Sequence, residues 1–217
     1  MKKLLILLML AMPMVCSAQY KYSEAKNNPK YLSPNAVLKQ SNTKKIYIQG
    51  VVPCPEGKSA AQAKATVEAL LSENGVLVRE PARYKLISQN DNSLIYQITD
   101  ELVFNRNFIS SDVAQMTATL IISFDQNSGY AFVVMKNIIY RTGSNSDQLT
   151  GMPHESWKSV YSASDDPVQV VTAEQMIADD VALNRKGELV RSLAKYRVKT
   201  IDYFYDLASA IALHLEK

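Results

Sequence analysis

Cysteine, histidine, glycine and tryptophan are scarce in this chain of 217 residues, which contains 2, 2, 7 and 1 of them. The scarcity of cysteine and histidine removes the paired ligand spacings on which zinc and most transition-metal sites depend. The sequence therefore predicts no metal site and no cofactor. Hydrophobic residues nevertheless make up 47% of the chain, which is enough to form one sizeable core.

The small number of glycines also argues against a phosphate-binding loop. Residues 57–59 read Gly-Lys-Ser between a predicted strand and a predicted helix, which is where such a loop lies. The loop needs another glycine five positions earlier, where this chain has Val52. Prolines on both sides of Cys54 further remove two backbone N–H donors. The segment instead predicts a turn followed by a helix that Ser59 caps.

The first 18 residues have the pattern of a secretory signal peptide. Lys2 and Lys3 precede an apolar run over residues 4–12, and residues 16–18 read Cys-Ser-Ala, a small-x-small cleavage site. The apolar run is too short for a permanent membrane-spanning helix, which needs about 20 residues. We therefore expect an exported protein whose mature chain starts near Gln19.

Lipid anchoring at Cys16 is not expected, because the residue before a lipidated cysteine is normally small and here it is Val15. The predicted location is periplasmic or extracellular. Cys54 would then be the only cysteine of the mature chain, which excludes an intramolecular disulfide. Its position before a helix N-terminus, a place that lowers a thiol pKa, makes Cys54 a candidate reactive residue, although an inert thiol is an equally good interpretation.

The mature chain is almost neutral. Loss of Lys2 and Lys3 from the 24 basic residues leaves 22 against 21 acidic residues, a net charge of +1. A chain with so little net charge has no overall field that attracts a polyanion, so nucleic acid is not a predicted partner. No transmembrane helix is predicted in the mature chain.

Hydrophobic periodicity predicts one α+β domain over residues 45–217, preceded by an irregular arm over residues 19–44. Period-two patterns predict strands, and spacings of three and four predict helices. The predicted strands are residues 46–52, 84–89, 93–104, 114–124 and 130–140, and the predicted helices are residues 59–74, 173–183 and about 188–215. Hairpin connections between the strands predict a mostly antiparallel sheet with the helices packed on one face, in the order β-α-β-β-β-β-α.

Two segments outside the regular elements carry aromatic residues. The arm contains Tyr20 and Tyr22, and the long irregular connection over residues 141–172 contains Trp157 and Tyr161. Aromatic side chains are good anchors for a partner, which makes these four residues candidate binding residues. The alternative is that their rings cover the core of the domain itself.

The last helix contains one residue that its pattern does not explain. A helical wheel centred on Phe204 gives a core-facing stripe, and Arg197 lies about 20° from the centre of that stripe. A buried guanidinium needs a carboxylate or backbone carbonyls as partners. Asp100 and Glu101, which interrupt their strand, are the predicted carboxylates of a structural ion pair.

The C-terminal segment resembles the end of a family of small secreted proteins of Bacteroides-type bacteria. Its matching parts read Ala-Leu-Asn at residues 182–184, Lys-Tyr-Arg at residues 195–197 and Lys-Thr-Ile-Asp at residues 199–202, followed by an aromatic-rich turn. The family is a domain of unknown function with a TATA-binding-protein-like fold, and the order of the predicted strands is similar over residues 45–215. The resemblance implies that fold and brings no catalytic residues with it.

The absence of a recognisable catalytic motif favours a non-enzymatic binding or interaction domain of the cell envelope. Its partner would be a protein, a glycan or a small ligand, bound by the outer face of the sheet, the arm or the connection. A hydrolase that assembles His154 with Asp165 or Asp166 in space is a second interpretation. A structural component of an envelope assembly is a third, and the oligomeric state stays open.

Overall fold

A computed structural model describes residues 20–72, 83–106, 111–125, 129–142 and 169–217. Seven strands and six helices occur in these ranges. The strands are β1 (Leu38–Lys39), β2 (Ile46–Pro53), β3 (Arg83–Asn90), β4 (Ser93–Arg106), β5 (Ser111–Phe124), β6 (Tyr130–Thr142) and β7 (Gln169–Thr172). The helices are α1 (Tyr22–Ala25), α2 (Pro29–Leu32), α3 (Ala60–Ser72), α4 (Ala173–Met176), α5 (Asp179–Ala182) and α6 (Arg191–Leu215).

The strands form one antiparallel sheet in the order β1-β2-β6-β5-β4-β3. β7 pairs with the last four residues of β6, beyond the part of β6 that pairs with β2. The predicted fold class, a two-layer α+β domain with a mostly antiparallel sheet, is confirmed. The two additional strands, β1 and β7, are only two and four residues long.

Helices α3 and α6 cover one face of the sheet, which we call the inner face. Gly50 of β2 lies against Phe204 of α6, since an added Cβ would be 3.2 Å from the Phe204 ring. Phe204 and Ile201 are fully buried there, and each contributes about 1.5–3 kcal/mol of hydrophobic stabilisation. The predicted core-facing stripe of the last helix is therefore confirmed.

The start of α3 shows how the sequence sets a helix boundary. The Ser59 hydroxyl accepts a hydrogen bond from the Gln62 N–H at 3.2 Å, and the Gln62 side chain accepts one from the Ser59 N–H at 2.9 Å. This reciprocal pair satisfies two donors that the first turn otherwise leaves free. The predicted cap at Ser59 is confirmed. None of the helices in the described residues is long and apolar enough to cross a membrane.

The N-terminal arm is more regular than the sequence predicts. It contains α1, α2 and β1, and it packs along α6. Tyr22 donates a hydrogen bond from its hydroxyl to the Leu189 carbonyl at 2.9 Å, and Tyr31 donates one to Asp202 at 2.9 Å. Helices of four residues produce too short a period to recognise in a sequence, and here tertiary contacts hold them.

Arg197 of α6 is completely buried beneath this arm. Its Nε donates to the Tyr31 carbonyl at 2.7 Å, and its Nη1 donates to the Ile177 carbonyl at 2.6 Å. Nη1 also lies 2.8 Å from a carboxylate oxygen of Asp179, at the start of α5. Burial lowers the pKa of Arg197, and the neighbouring Asp179 raises it in part.

The choice of Asp100 and Glu101 as the carboxylate partners of Arg197 is therefore corrected, because Asp179 holds that position. Strand alternation places Glu101 on the face of the sheet opposite α6. Asp100 does face α6, but it bonds to Tyr203, which lies six residues and about 9 Å further along the helix than Arg197.

Candidate binding surface

The outer face of the sheet, opposite α3 and α6, has no buried side chain among the described residues. Inner-face residues of β5, such as Met116 and Leu120, are fully buried, whereas their neighbours Thr117 and Ile121 are only half-buried. The same contrast runs along β2, β4 and β6. In the described part of the chain, the helices therefore leave this face accessible.

An uncharged apolar patch occupies one end of the outer face. Its most exposed members are Val51 at 56%, Tyr130 at 46% and Phe132 at 43% of their surface. Phe132 lies directly across from Val51, and Val134 on the same strand lies across from Ile121, which in turn lies across from Ile95. The apolar patch is thus composed of Ile95, Ile121 and Val134, half-buried, and Val51, Tyr130 and Phe132, exposed.

The apolar patch spans the four strands β2, β6, β5 and β4, whose spacing makes it about 15 Å wide. Tyr130 and Phe132 are two positions apart on β6, so that their rings project from the same face about 7 Å apart. Polar residues beside these rings are Gln49, Ser123 and Asp125. The patch therefore offers aliphatic and aromatic contacts with few hydrogen-bonding groups.

One charged residue, Asp125, borders the apolar patch, because its N–H donates to the Tyr130 carbonyl at 3.1 Å. The other charged residues of the outer face lie beyond the patch: Lys136 follows Val134 along β6, and Arg141 and Glu101 lie further towards the other end of the strands. Lys85 on the edge strand β3 is exposed. The outer face therefore has an apolar end and a mixed, mainly basic end, with neutral polar side chains such as Thr119 between them.

Two of the four predicted binding aromatics, Tyr20 and Tyr22, belong to the N-terminal arm. They pack against α6 and do not lie on the outer face of the sheet. Both side chains are half-buried against a small cluster that includes Leu189 and Val198. Burial raises the pKa of Tyr20 to about 12. Their contacts within the domain match the alternative that the rings cover the chain's own core.

The other two predicted aromatics, Trp157 and Tyr161, lie outside the described residues. The same holds for His154, Asp165 and Asp166, the residues of the hydrolase interpretation. The structure consequently brings none of these five residues into a described site. No group of three or more histidine, cysteine, aspartate or glutamate residues suited to a metal occurs within the part of the chain that the structure describes.

Cys54 is half-buried where the chain leaves β2, and its N–H donates to the Gly129 carbonyl at 2.7 Å. Burial raises the pKa of its thiol, and the charge of Lys58 opposes that shift less strongly. The thiol is therefore protonated at neutral pH. Desolvation of this thiol therefore favours the inert interpretation of Cys54 over the reactive one.

The sequence contains a signal for the apolar patch that strand periodicity alone overlooks. In β6, the segment Tyr-Ala-Phe-Val-Val-Met is apolar at every position, so both of its faces are apolar. In a two-layer fold with helices on one face, a strand of this kind must present apolar side chains outwards. In β2, Val51 and Val52 are likewise adjacent apolar residues, with Val51 on the outer face and Val52 on the inner face.

Comparison with known proteins supports the fold. No family model matches the chain, and no curated protein sequence matches it. A solved structure of a DUF4468 family protein from Bacteroides ovatus is similar, with a TM-score of 0.64 and 21% identity over 88% of this chain and 96% of that one. A TBP-like protein from Parabacteroides distasonis is similar, with a TM-score of 0.57 and 13% identity over 84% of this chain and 98% of that one. The TATA-binding-protein-like fold implied by the resemblance is confirmed.

Proposed function

We propose that this chain is an exported, non-enzymatic binding domain of the cell envelope that holds a protein partner through the apolar patch. The observation that carries the proposal is the accessible, uncharged patch around Val51 and Phe132 on the outer face of the sheet. The export pattern of the first 18 residues supports a periplasmic or extracellular location.

The chemistry of the apolar patch favours a protein over a glycan or a small polar ligand. Its aliphatic members, such as Ile121 and Val134, gain free energy by contact with apolar side chains and offer no hydrogen bonds to sugar hydroxyls. Exposed aromatic residues like Phe132 are also the side chains that anchor protein interfaces.

The outer face is large enough for such a partner. Five neighbouring strands at about 4.8 Å spacing, each contributing about ten residues at 3.3 Å, present roughly 800 Å². Stable protein complexes bury about 800 Å² on each partner. The apolar patch would form the water-excluding centre of the interface on this chain. Residues such as Lys136 and Gln97 would form the polar margin around that centre.

The test is affinity capture from an envelope extract, followed by calorimetry with the captured protein. Phe132→Ser combined with Val51→Ser removes the centre of the patch, and we expect at least a tenfold loss of affinity. Leu213→Ser is the matched control, because Leu213 is 57% exposed on α6, away from the sheet. Equal capture by both variants would contradict the proposal, as would a partner that binds the wild type only through α6.

A further inference from the structure

Asp100 is a carboxylate in a row of apolar residues. On β4 the inner-face positions before and after it are Ile98 and Leu102, and both are buried. Its partner across the sheet, Met116 of β5, is fully buried as well. Asp100 itself is half-buried, in a place where strand periodicity requires an apolar side chain.

The polar atoms of Asp100 are held by a network that joins three elements. Tyr203 of α6 makes a side-chain hydrogen bond with Asp100, and its hydroxyl is 3.2 Å from that of Tyr84 on β3. One carboxylate oxygen of Asp100 accepts a hydrogen bond from the Glu101 N–H at 2.7 Å. Tyr203 is therefore the shared member between a helix, an edge strand and the strand beside it.

Apart from its contacts in this network, β3 has few interactions that hold it to the rest of the domain. Among the described strands it pairs only with β4, and its residues 85–90 are all exposed. A bulge between Leu86 and Ser88 interrupts its pairing. Tyr84 packs against the main core, so that the contact between Tyr84 and Tyr203 is a principal link between the edge strand and α6.

We propose that Asp100, Tyr203 and Tyr84 form a proton-operated latch, in which protonation of Asp100 closes edge strand β3 onto helix α6 and ionisation of Asp100 loosens it. A neutral carboxyl group is compatible with its apolar neighbours and with both tyrosine hydroxyls. An ionised carboxylate in the same place loses hydration that the two available donors do not replace. Opening of β3 returns Asp100 to water.

Asp100 is the member of the latch that titrates in the accessible range. Burial raises its pKa from 3.8 to about 6, partly offset by the hydrogen bonds from Glu101 and Tyr203. Burial raises the pKa of Tyr84 to about 12 and that of Tyr203 well above its usual value of 10. Both phenols therefore stay neutral throughout this range.

Within the described ranges, few charged side chains lie near the carboxyl group of Asp100. On its own strand Glu101 projects from the opposite face, and its negative charge adds slightly to the upward shift of the Asp100 pKa. From β5 it faces the apolar Met116. On α6, Lys199 and Asp206 lie one turn before and after Tyr203, carry opposite charges and have interactions of their own.

The direction of the pH effect follows from the raised pKa. The closed state binds the proton on Asp100 more tightly than the open state does. The extra stability that this proton gives the closed state is therefore fully present below pH 3.8, and it is lost as the pH rises through about 6. Each pH unit between these values changes the opening constant about tenfold. The whole change is therefore about 100-fold, and it levels off above pH 6.5.

Hydrogen exchange followed by NMR, with each rate corrected for its intrinsic pH dependence, tests the latch. We expect protection of the β3–β4 amides to fall by up to about 100-fold from pH 4 to pH 6.5, while protection of the β2–β6 amides changes little. Asp100→Asn should remove this pH dependence. Asp91→Asn is the matched control, since Asp91 is an exposed acid in the turn of the same hairpin and should leave the dependence intact.

Tyr84→Phe provides a second variant in case Asp100→Asn fails to fold. It keeps the ring and removes only the hydroxyl, so we expect protection of the β3–β4 amides at pH 4 to fall several-fold. The proposal is overturned if wild-type β3–β4 protection is independent of pH, or if the β2–β6 amides follow the same pH dependence. It is also overturned if Tyr84→Phe leaves β3–β4 protection unchanged.

Discussion

Replacement of Arg197 tests how the buried guanidinium stabilises the domain. Arg197→Met keeps most of the side-chain volume but removes every donor, which leaves the Tyr31 and Ile177 carbonyls without the partners that hold them at 2.7 and 2.6 Å. An unsatisfied buried acceptor costs about 1–3 kcal/mol. The bond to Ile177 is buried and the bond to Tyr31 is only part-buried, so we expect a loss of about 2–4 kcal/mol in the free energy of unfolding.

The Asp179 carboxylate should matter much less than the two carbonyls. Its side chain is 42% exposed, so solvent screens its attraction to Arg197. Asp179→Asn should therefore cost only about 1 kcal/mol. Comparison of the two losses shows whether the Arg197 guanidinium is held mainly by the backbone carbonyls or mainly by the ion pair with Asp179.

Urea unfolding, monitored by circular dichroism, measures the stability loss of each variant. The losses can be compared if the variants and the wild type have equal m-values. Lys195→Met is the matched control, because Lys195 is a cation on the same helix, paired with Asp112 at 2.7 Å at a more exposed place. We expect a loss below about 1 kcal/mol for this control. The reasoning is refuted if Arg197→Met lies within 1 kcal/mol of the wild type, or if Asp179→Asn costs as much as Arg197→Met.

Three further predictions concern the core and the cysteine. Gly50→Val would press a branched side chain against Phe204, and we expect a loss of about 1–3 kcal/mol in urea unfolding, whereas an unchanged midpoint would contradict the close packing. Tyr140→Phe removes the hydroxyl 2.8 Å from the Thr200 hydroxyl in a fully buried place, which should cost about 1–2 kcal/mol by the same measurement. Cys54 should react slowly with a thiol reagent at pH 7 and much faster in urea, because burial raises its pKa, and fast labelling of the native chain would disprove this.

The periodicity of the sequence predicts most of the fold because long elements repeat their pattern several times. β5 alternates from Ala114 to Phe124 with every inner position buried, and α6 repeats its stripe over 25 residues. The Ser59 cap is equally local, since both of its partners lie within one turn. Features of this kind depend on neighbours in the sequence, so the sequence alone determines them.

Features that depend on distant neighbours were not predictable in the same way. The pairing of Arg197 with Asp179 depends on where α5 is placed relative to α6, and no local pattern contains that placement. β7 is too short to show a period and is defined by its pairing with Tyr140 and its neighbours on β6. A helical wheel identifies Arg197 as a buried residue that needs partners, but it does not identify those partners.

The outer face was predicted only as one of three possible binding regions. Recognition of the apolar patch needs the register that places Val51 across from Phe132, together with the finding that the helices lie on the other face. Tyr20 and Tyr22, the two described residues among those chosen from composition, instead pack within the domain.

Site-specific photo-cross-linking in the native cell envelope tests the binding proposal most directly. A photoreactive phenylalanine analogue at position 132 would lie in the centre of the apolar patch, and the same analogue at position 213 would lie on α6. We predict a discrete protein adduct from position 132 that is absent from position 213 and is lost when Val51→Ser is added. Adducts of equal yield from both positions, or none from position 132, would contradict the claim that this face binds a protein.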